Sequence, residues 1–247
     1  MAKGERLDRY LVRKGLVESR AKAQALIGAG QVLVDGVRVR KPAFAVREGA
    51  SVRVLSFPEF VGRGAEKLLG ALSAFGIDVG GRVVADVGAS TGGFTQVLLE
   101  RGARRVYAID VGHGQLHPRL REDPRVVVME GVNARYLKAL PEPISMAVMD
   151  VSFISSTLIL PRLAGWTSPG GDVLVLVKPQ FELEPGSHRG VVRDPEARRR
   201  AFERVAASGR ELGLLLAGEA PSPIAGKRGN LESWLWFKKP EPTEIPE

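Results

Sequence analysis

The sequence predicts an α/β protein: a doubly wound, mainly parallel sheet of seven strands, preceded by a small basic α+β unit. Three observations carry this. From residue 83 onward, apolar runs of strand length near 83–87, 105–110, 125–129, 144–150, 172–178, 213–219 and 233–238 alternate with helical periodicity. The first of these runs, Val83–Val87, enters a glycine-dense turn that opens a helix. The first 60 residues hold 12 Lys and Arg against 6 Asp and Glu, whereas the rest holds 24 against 22, so most of the net charge of +8 sits in the first quarter.

That first quarter reads element by element. Leu7, Tyr10 and Leu11 form an i, i+3, i+4 stripe among Arg6, Arg9, Arg13 and Lys14, and Gly15 supplies a stop. Ser19 is placed to cap a second helix with Ala23, Leu26 and Ile27 inward and Arg20 and Lys22 outward, ended by Gly28-Ala29-Gly30. Val32–Val34 and Val37–Val39 flank Asp35-Gly36, the dipeptide that favours a two-residue hairpin turn because both central positions need positive φ. A last strand is expected at Ser51–Leu55. A basic module beside a nearly neutral one fits a polyanion-binding adapter on an enzyme; a merely solvated surface is the plainer alternative.

A Pro- and Gly-punctuated joint, Ser56–Gly64, precedes a helix carrying Leu68, Leu69, Leu72 and Phe75, with Lys67 at its front. In the turn after Val87, Gly88, Gly92 and Gly93 allow close backbone approach, and the helix behind offers unpaired N–H donors. Asp110 ends the next strand 22 positions beyond Gly88, where an acid can accept from ribose hydroxyls. The glycines do not fall on G-x-G-x-x-G, and no basic residue lies among them to meet a pyrophosphate. A compact adenosyl ligand such as S-adenosylmethionine therefore suits the turn better than NAD, with an ordinary strand-to-helix turn as the alternative. Two strand ends add charge to the same edge, Asp150 after Ile144–Met149 and Lys178 after Val173–Val177. A lysine in that position is either a strand-end charge escaping to water or an ammonium held near a carboxylate. Asp194-Pro195 is set to cap a basic helix whose Arg198, Arg199 and Arg200 extend a polyanion-binding track or solvate a face. The Pro- and Glu-rich tail after Lys239 is expected to be flexible.

Composition excludes several chemistries. The chain has no cysteine, hence no disulfide, thiolate metal site or cysteine nucleophile, and its three histidines lack the spacing of a zinc site. No metal is expected. No apolar run approaches the ~20 residues that cross a bilayer, and the start lacks the apolar core of a signal peptide, so a cytoplasmic protein with no membrane partner is expected. Nothing in the pattern fixes an oligomeric state.

Residues 5–55 resemble the small RNA-binding domain shared by a ribosomal small-subunit protein, tyrosyl-tRNA synthetase tails and many pseudouridine synthases, through R-L-D-x-x-L-V-x-x-G-L-x-x-S-R running on to V-x-V-D-G at Gly36. That resemblance implies RNA-phosphate contacts by Arg6, Arg9, Arg20 and Lys22. Arg63–Leu68, Asp86–Phe94, Asp110–Leu116, Asp150–Ser155, Val177–Glu182 and Gly229–Glu232 together resemble the TlyA (hemolysin A) family, which is similar to FtsJ-type RNA 2′-O-methyltransferases. The resemblance implies a Rossmann-like seven-stranded methyltransferase sheet, S-adenosylmethionine as cofactor, and ribosomal RNA or ribosomal subunits as partner, with cytidine ribose as acceptor. It implies a Lys-Asp-Lys-Glu tetrad at Lys67, Asp150, Lys178 and Glu232, in which Lys178 acts on the 2′-hydroxyl as base or cation and Asp150 orients it. The cofactor set is then Asp86, Gly88, Ala89, Ser90, Thr91, Gly92, Gly93, Phe94, Asp110, Val111 and Asn133. Asn133 is a candidate for the adenine and Asn230 for shaping the Glu232 loop, although a turn role suits each. Ala65 and Ser233 depart from the family pattern. Expected bounds are 1–56 for the RNA-binding domain, 57–64 for the linker, 65–239 for the methyltransferase domain and 240–247 for the tail. The missing cysteine argues against base C5 methylation, and Val-Ser-Phe after Asp150, in place of Pro-Pro-aromatic, argues against amino-group methylation. The rival functions are a membrane-permeabilising hemolysin and a non-catalytic ribosome assembly factor.

Overall fold

The computed structural model describes residues 4–17, 19–28, 30–54, 60–184 and 190–242. The chain divides into two compact units, Met1–Glu59 and Phe60–Glu247. Leu55 of the expected last strand, residues 57–59 of the expected linker, His188 and residues 243–247 of the expected tail lie outside the described residues.

Unit 1 runs β1 (Glu5–Arg6), α1 (Leu7–Arg13), α2 (Arg20–Gly28), β2 (Val32–Val34), β3 (Val37–Val39), β4 (Ala45–Val46) and β5 (Val52–Val54). The expected stripe is its core: Leu7, Leu11, Ala23 and Ile27 are fully buried against Val32, Val34, Val39 and Val46. Gly15 ends α1 at φ +66, and the Leu16 amide donates to the Leu11 carbonyl. Ser19 Oγ accepts from the Lys22 amide at 3.2 Å and so caps α2. Asp35 and Gly36 take φ +50 and +79, closing β2 onto β3 in antiparallel register.

Unit 2 runs α3 (Gly64–Phe75), β6 (Val83–Val87), α4 (Gly93–Glu100), β7 (Arg105–Asp110), α5 (Pro118–Arg121), β8 (Val126–Glu130), β9 (Ile144–Met149), a 3₁₀ turn (Ser156–Leu158), α6 (Leu160–Trp166), β10 (Thr167–Val177), α7 (Pro179–Glu182), α8 (Pro195–Glu211), β11 (Leu215–Pro221) and β12 (Ser233–Lys238). The sheet order is β11-β12-β10-β9-β6-β7-β8. Neighbours from β10 to β8 are parallel, and β12 alone is antiparallel to both of its neighbours. The chain order reverses between β6 and β9, where ligands bind in open α/β sheets. β10 starts earlier than expected because Thr167 pairs with Ile144 ahead of an irregularity that ends at Asp172.

Alternation sorts every central strand onto two faces. Val84, Val106, Ala108, Met146, Val148, Leu174, Leu176 and Trp234 pack with Ala65, Leu68 and Leu72 of α3 and Phe94, Val97 and Leu98 of α4. Ala85, Tyr107, Ala147, Val175, Leu235 and Phe237 pack with Leu160 and Leu163 of α6 and Val205 and Ala206 of α8. Asp194 Oδ1 and Oδ2 accept from the Glu196 and Ala197 amides, capping α8 as expected.

At the reversal point Gly88 has φ +87, and a Cβ there would run into the carbonyl oxygen of Asp150. Two strand ends thus meet through a glycine. Gly88→Ala is expected to cost about 2–4 kcal/mol, combining left-handed strain with overpacking against backbone. Equilibrium urea unfolding measures it; a loss below about 0.5 kcal/mol would mean that this contact does not constrain the edge.

Candidate active site

The two-residue period decides which strand-end side chains meet. Asp150, Lys178 and Glu232 share parity with Val148, Leu176 and Trp234, so all three belong to the face covered by α3. Glu232 precedes β12, yet β12 is antiparallel and Ser233 pairs with Val177, which sets Glu232 beside Lys178. Lys67 descends onto this face from α3.

The four side chains converge. Lys67 Nζ donates to Glu232 Oε2 at 2.6 Å and lies 3.6 Å from Asp150 Oδ2. Lys178 Nζ lies 2.5 Å from Asp150 Oδ1 and donates to Ser152 Oγ at 2.8 Å. Lys67 and Lys178 are each 8 % exposed and Glu232 is 4 % exposed, so two cations and two anions neutralise one another in a site nearly closed to water. The Glu232 loop is fixed from below: Asn230 Oδ1 accepts from the Val192 amide, its Nδ2 donates to the Gly190 carbonyl, and its carbonyl accepts from the Gly226 amide. Asn230 therefore shapes that loop. Neither departure from the family pattern disturbs the set, since Ala65 is core and Ser233 is a paired β12 residue.

The glycine turn lies on the same edge. Ser90 takes φ +49 and its amide donates to Asp110 Oδ2 at 2.8 Å, while the Gly112 amide donates to Asp110 Oδ1 at 2.7 Å. Each carboxylate oxygen keeps acceptor capacity for a hydroxyl. Val111, beside it, is 66 % exposed and offers an apolar surface to a ring. An adenosyl ligand fits this combination of acceptor, apolar tip and reversal point. Ala89 is buried and Thr91 is exposed, its carbonyl accepting from the His117 amide. Phe94 turns inward and packs on Trp234 with ring centroids 5.6 Å apart, so its side chain shapes the turn from the core. Gly92 is closed off by Leu116 and Leu120, and a Cβ on Gly93 would stand 3.0 Å from the Ala65 amide nitrogen. Asn133 Oδ1 accepts from the Arg135 amide, making the turn that was its plainer reading. Asp86 is fully buried within β6 and accepts from Thr95 Oγ1 at 2.7 Å, while its Oδ1 has no partner among the described residues. Burial pushes its carboxyl up to about 7, helped by the charges of Asp150 and Asp110 and opposed by the Thr95 hydrogen bond.

Three supporting residues have no role assigned from the sequence, although Phe153 and Glu182 fall within its motifs. Glu130 accepts from the Gly114, Gln115 and Leu116 amides and from Arg121 Nη2 at 2.7 Å, which holds the loop after Asp110; Arg121, with those amides, draws its carboxyl down to about 2. Buried Glu182 accepts from Ser155 Oγ and the Ser156 amide, tying α7, after Lys178, to the loop after Asp150. Phe153 has φ +65, is 85 % exposed, and leans on Phe181 with centroids 5.2 Å apart. A bulky residue in the left-handed region with its ring in water stores strain beside the tetrad.

In unit 1, Arg6 and Arg20 are not loose cations: both guanidiniums bond to buried Asp8. Arg9 is exposed and Lys22 is half-buried.

Comparison with known proteins follows this division. The FtsJ-like methyltransferase family model matches residues 60–239, and the S4 domain model matches residues 5–52. The chain is 49 % identical over 244 residues to the "16S/23S rRNA (cytidine-2'-O)-methyltransferase TlyA" of Mycobacterium tuberculosis, covering 96 % of this chain and 91 % of that one. It is 42 % identical over 259 residues to the "Putative rRNA methyltransferase YqxC" of Bacillus subtilis, covering 100 % and 91 %. Among solved structures, a "Putative hemolysin from Streptococcus thermophilus" superposes with a TM-score of 0.73 at 38 % identity, covering 100 % of this chain and 93 % of the other.

Asp86 gives a pH signature. Its carboxyl titrates near 3.8 when unfolded and near 7 when folded, so between these values the unfolded chain ionises while the fold holds its proton. Stability contributed by the neutral carboxyl is complete below about pH 4, falls as pH rises, and levels off above about pH 7. Asp86→Asn is expected to remove this slope, up to about 4 kcal/mol for a shift of about three units. Urea unfolding of both proteins from pH 4 to 8 checks it, and parallel profiles would overturn it.

Proposed function

Because the chain belongs to the TlyA family of FtsJ-like methyltransferases, we propose that it methylates the 2′-hydroxyl of a cytidine in ribosomal RNA, using S-adenosylmethionine, at the Lys67–Asp150–Lys178–Glu232 cluster. The observation that supports this reading best is the convergence of those four side chains, drawn from α3, two parallel strand ends and the start of an antiparallel strand, beside the glycine turn. S-adenosylmethionine supplies an electrophilic sulfonium methyl. Asp110 would accept from its ribose hydroxyls, and Val111 would give its base an apolar contact.

Lys178 is the group that meets the acceptor. Its Nζ is ion-paired with Asp150 Oδ1 and donates to Ser152 Oγ, and its remaining donor capacity would serve the 2′-oxygen. The Lys178 ammonium would stabilise the negative charge that develops on the 2′-oxygen, and the Asp150 carboxylate beside it would take up the hydroxyl proton. Lys67 and Glu232 hold Asp150 from the other side, which fixes the direction of Lys178 and leaves orientation as a large share of the rate gain. The exposed Phe153 ring provides a face on which the target base stacks once it leaves its neighbours. The S4 domain brings RNA-phosphate contacts by Arg6, Arg9, Arg20 and Lys22, and the enzyme works in the cytoplasm, where ribosomes are made.

Incubating ribosomal subunits with labelled S-adenosylmethionine and mapping alkali-resistant positions tests the reaction. Lys178→Ala is expected to keep cofactor binding and lower single-turnover methyl transfer by roughly 10²–10⁴; near-normal turnover would remove Lys178 from the chemistry. Phe153→Ala is expected to lower kcat/KM for RNA about 5- to 100-fold with cofactor affinity unchanged. An equal loss in cofactor affinity would reassign that ring to the cofactor side.

A further inference from the structure

We infer that Asp8 is a positioning residue for RNA binding, a buried anion that holds Arg6 and Arg20 as a pre-set pair of phosphate contacts. The inference rests on the reading of unit 1 as the RNA-binding part.

Asp8 is fully buried, and its two oxygens are saturated by five donors. Oδ1 accepts from Arg6 Nε and the Arg9 amide, each at 3.0 Å. Oδ2 accepts from Arg6 Nη2 and Arg20 Nε, each at 3.0 Å, and from Gln24 Nε2 at 3.1 Å. The carboxylate can bond nothing else. Its partners differ in this respect: Arg6 and Arg20 side chains remain 41 % and 51 % exposed, and each guanidinium uses only part of its five N–H groups on Asp8.

An arginine fixed before it meets a phosphate has already lost the rotamer freedom that binding would otherwise cost. One carboxylate shared between two guanidiniums also leaves the cluster with net positive charge, so attraction to a polyanion survives. Asp8 joins Arg6, just before α1, to Arg20 at the start of α2, and thereby sets the spacing of two contacts separated by 14 positions of sequence.

The test turns on a sign. Asp8→Asn adds one positive charge to a basic face, so charge alone predicts tighter RNA binding. Positioning predicts weaker binding, about 5- to 50-fold for two freed side chains. The probe is binding of the full chain to purified bacterial ribosomal subunits at several KCl concentrations. The number of phosphate contacts sets the salt slope, so Asp8→Asn is expected to lower affinity with the slope unchanged, whereas Arg20→Ala lowers both, the slope by about 1. The charge-preserving pair Arg6→Lys with Arg20→Lys, which loses the fork but leaves Asp8 in place, is expected to imitate Asp8→Asn. In an Arg6→Ala, Arg20→Ala background, Asp8→Asn is expected to have no further effect on binding; a full further loss there would mark a general folding defect and overturn the inference. Unchanged or tighter binding by Asp8→Asn, with Arg6→Ala and Arg20→Ala each weakening it, would also overturn it while leaving the RNA-binding reading intact. If neither arginine variant weakens binding, the reading itself fails.

Discussion

Two ammonium groups and two carboxylates closed away from water are stable only as a set. Lys67 is bonded to Glu232 and lies near Asp150, and Asp150 is paired with Lys178, so each charge has an opposite neighbour within 3.6 Å. An unpaired charge at such a depth is strongly unfavourable, and removing one partner strands the next. The set spans the unit from α3, its first helix, to the approach to β12, its last strand. The site is therefore complete only when the whole sheet has formed. Rigidity of the framework and correct placement of Lys178 are one requirement.

The same constraint governs the glycine turn. Its glycines suggest room for a ligand, yet the space beside each is taken by protein: the Asp150 carbonyl at Gly88, Leu116 and Leu120 at Gly92, and the backbone of residues 62–65 at Gly93. Glycine at position 88 lets the ends of β6 and β9 approach, which brings Asp150 to the cofactor edge. The groups left open on this edge are Asp110, whose oxygens accept from the Ser90 and Gly112 amides, and exposed Val111. Asp86 and Phe94 act from the other side of the backbone, through Thr95 and Trp234.

What the amino-acid pattern reveals follows from the range of each interaction. The apolar runs Val83–Val87 and Val173–Val177, the Asp35-Gly36 turn, and the Ser19 and Asp194 caps are local, and each stands where the residues indicate. The antiparallel direction of β12 has no local signature, since it depends on pairing with the distant β10 in the register of Val177 with Ser233. Lys67 and Glu232 are 165 positions apart, and only their resemblance to a family pattern paired them in advance. Glu130 looks like an ordinary surface acid, and the motifs that contain Glu182 and Asp8 do not disclose their roles, because the importance of all three lies in donors brought by other elements. Phe153 carries no sign of its positive φ, a conformation its side chain does not favour.

Asp8 and Asp150 show one physical device at two degrees of closure. Each carboxylate stands between two cations and fixes where they point. At Asp150 the lysines are about one-tenth exposed and a second acid, Glu232, completes the balance, so the cluster exerts no general pull on a polyanion and acts through position alone. At Asp8 the arginines are about half exposed and, among the described residues, no second acid is bonded to them, so positive charge remains at the surface. The first arrangement suits a reaction whose proton must move between fixed partners in little water. The second suits capture of a phosphate backbone, where attraction has to reach through solvent and weakens with salt. Charge in this chain is thus divided between two arrangements, balanced around Asp150 and left in excess around Asp8.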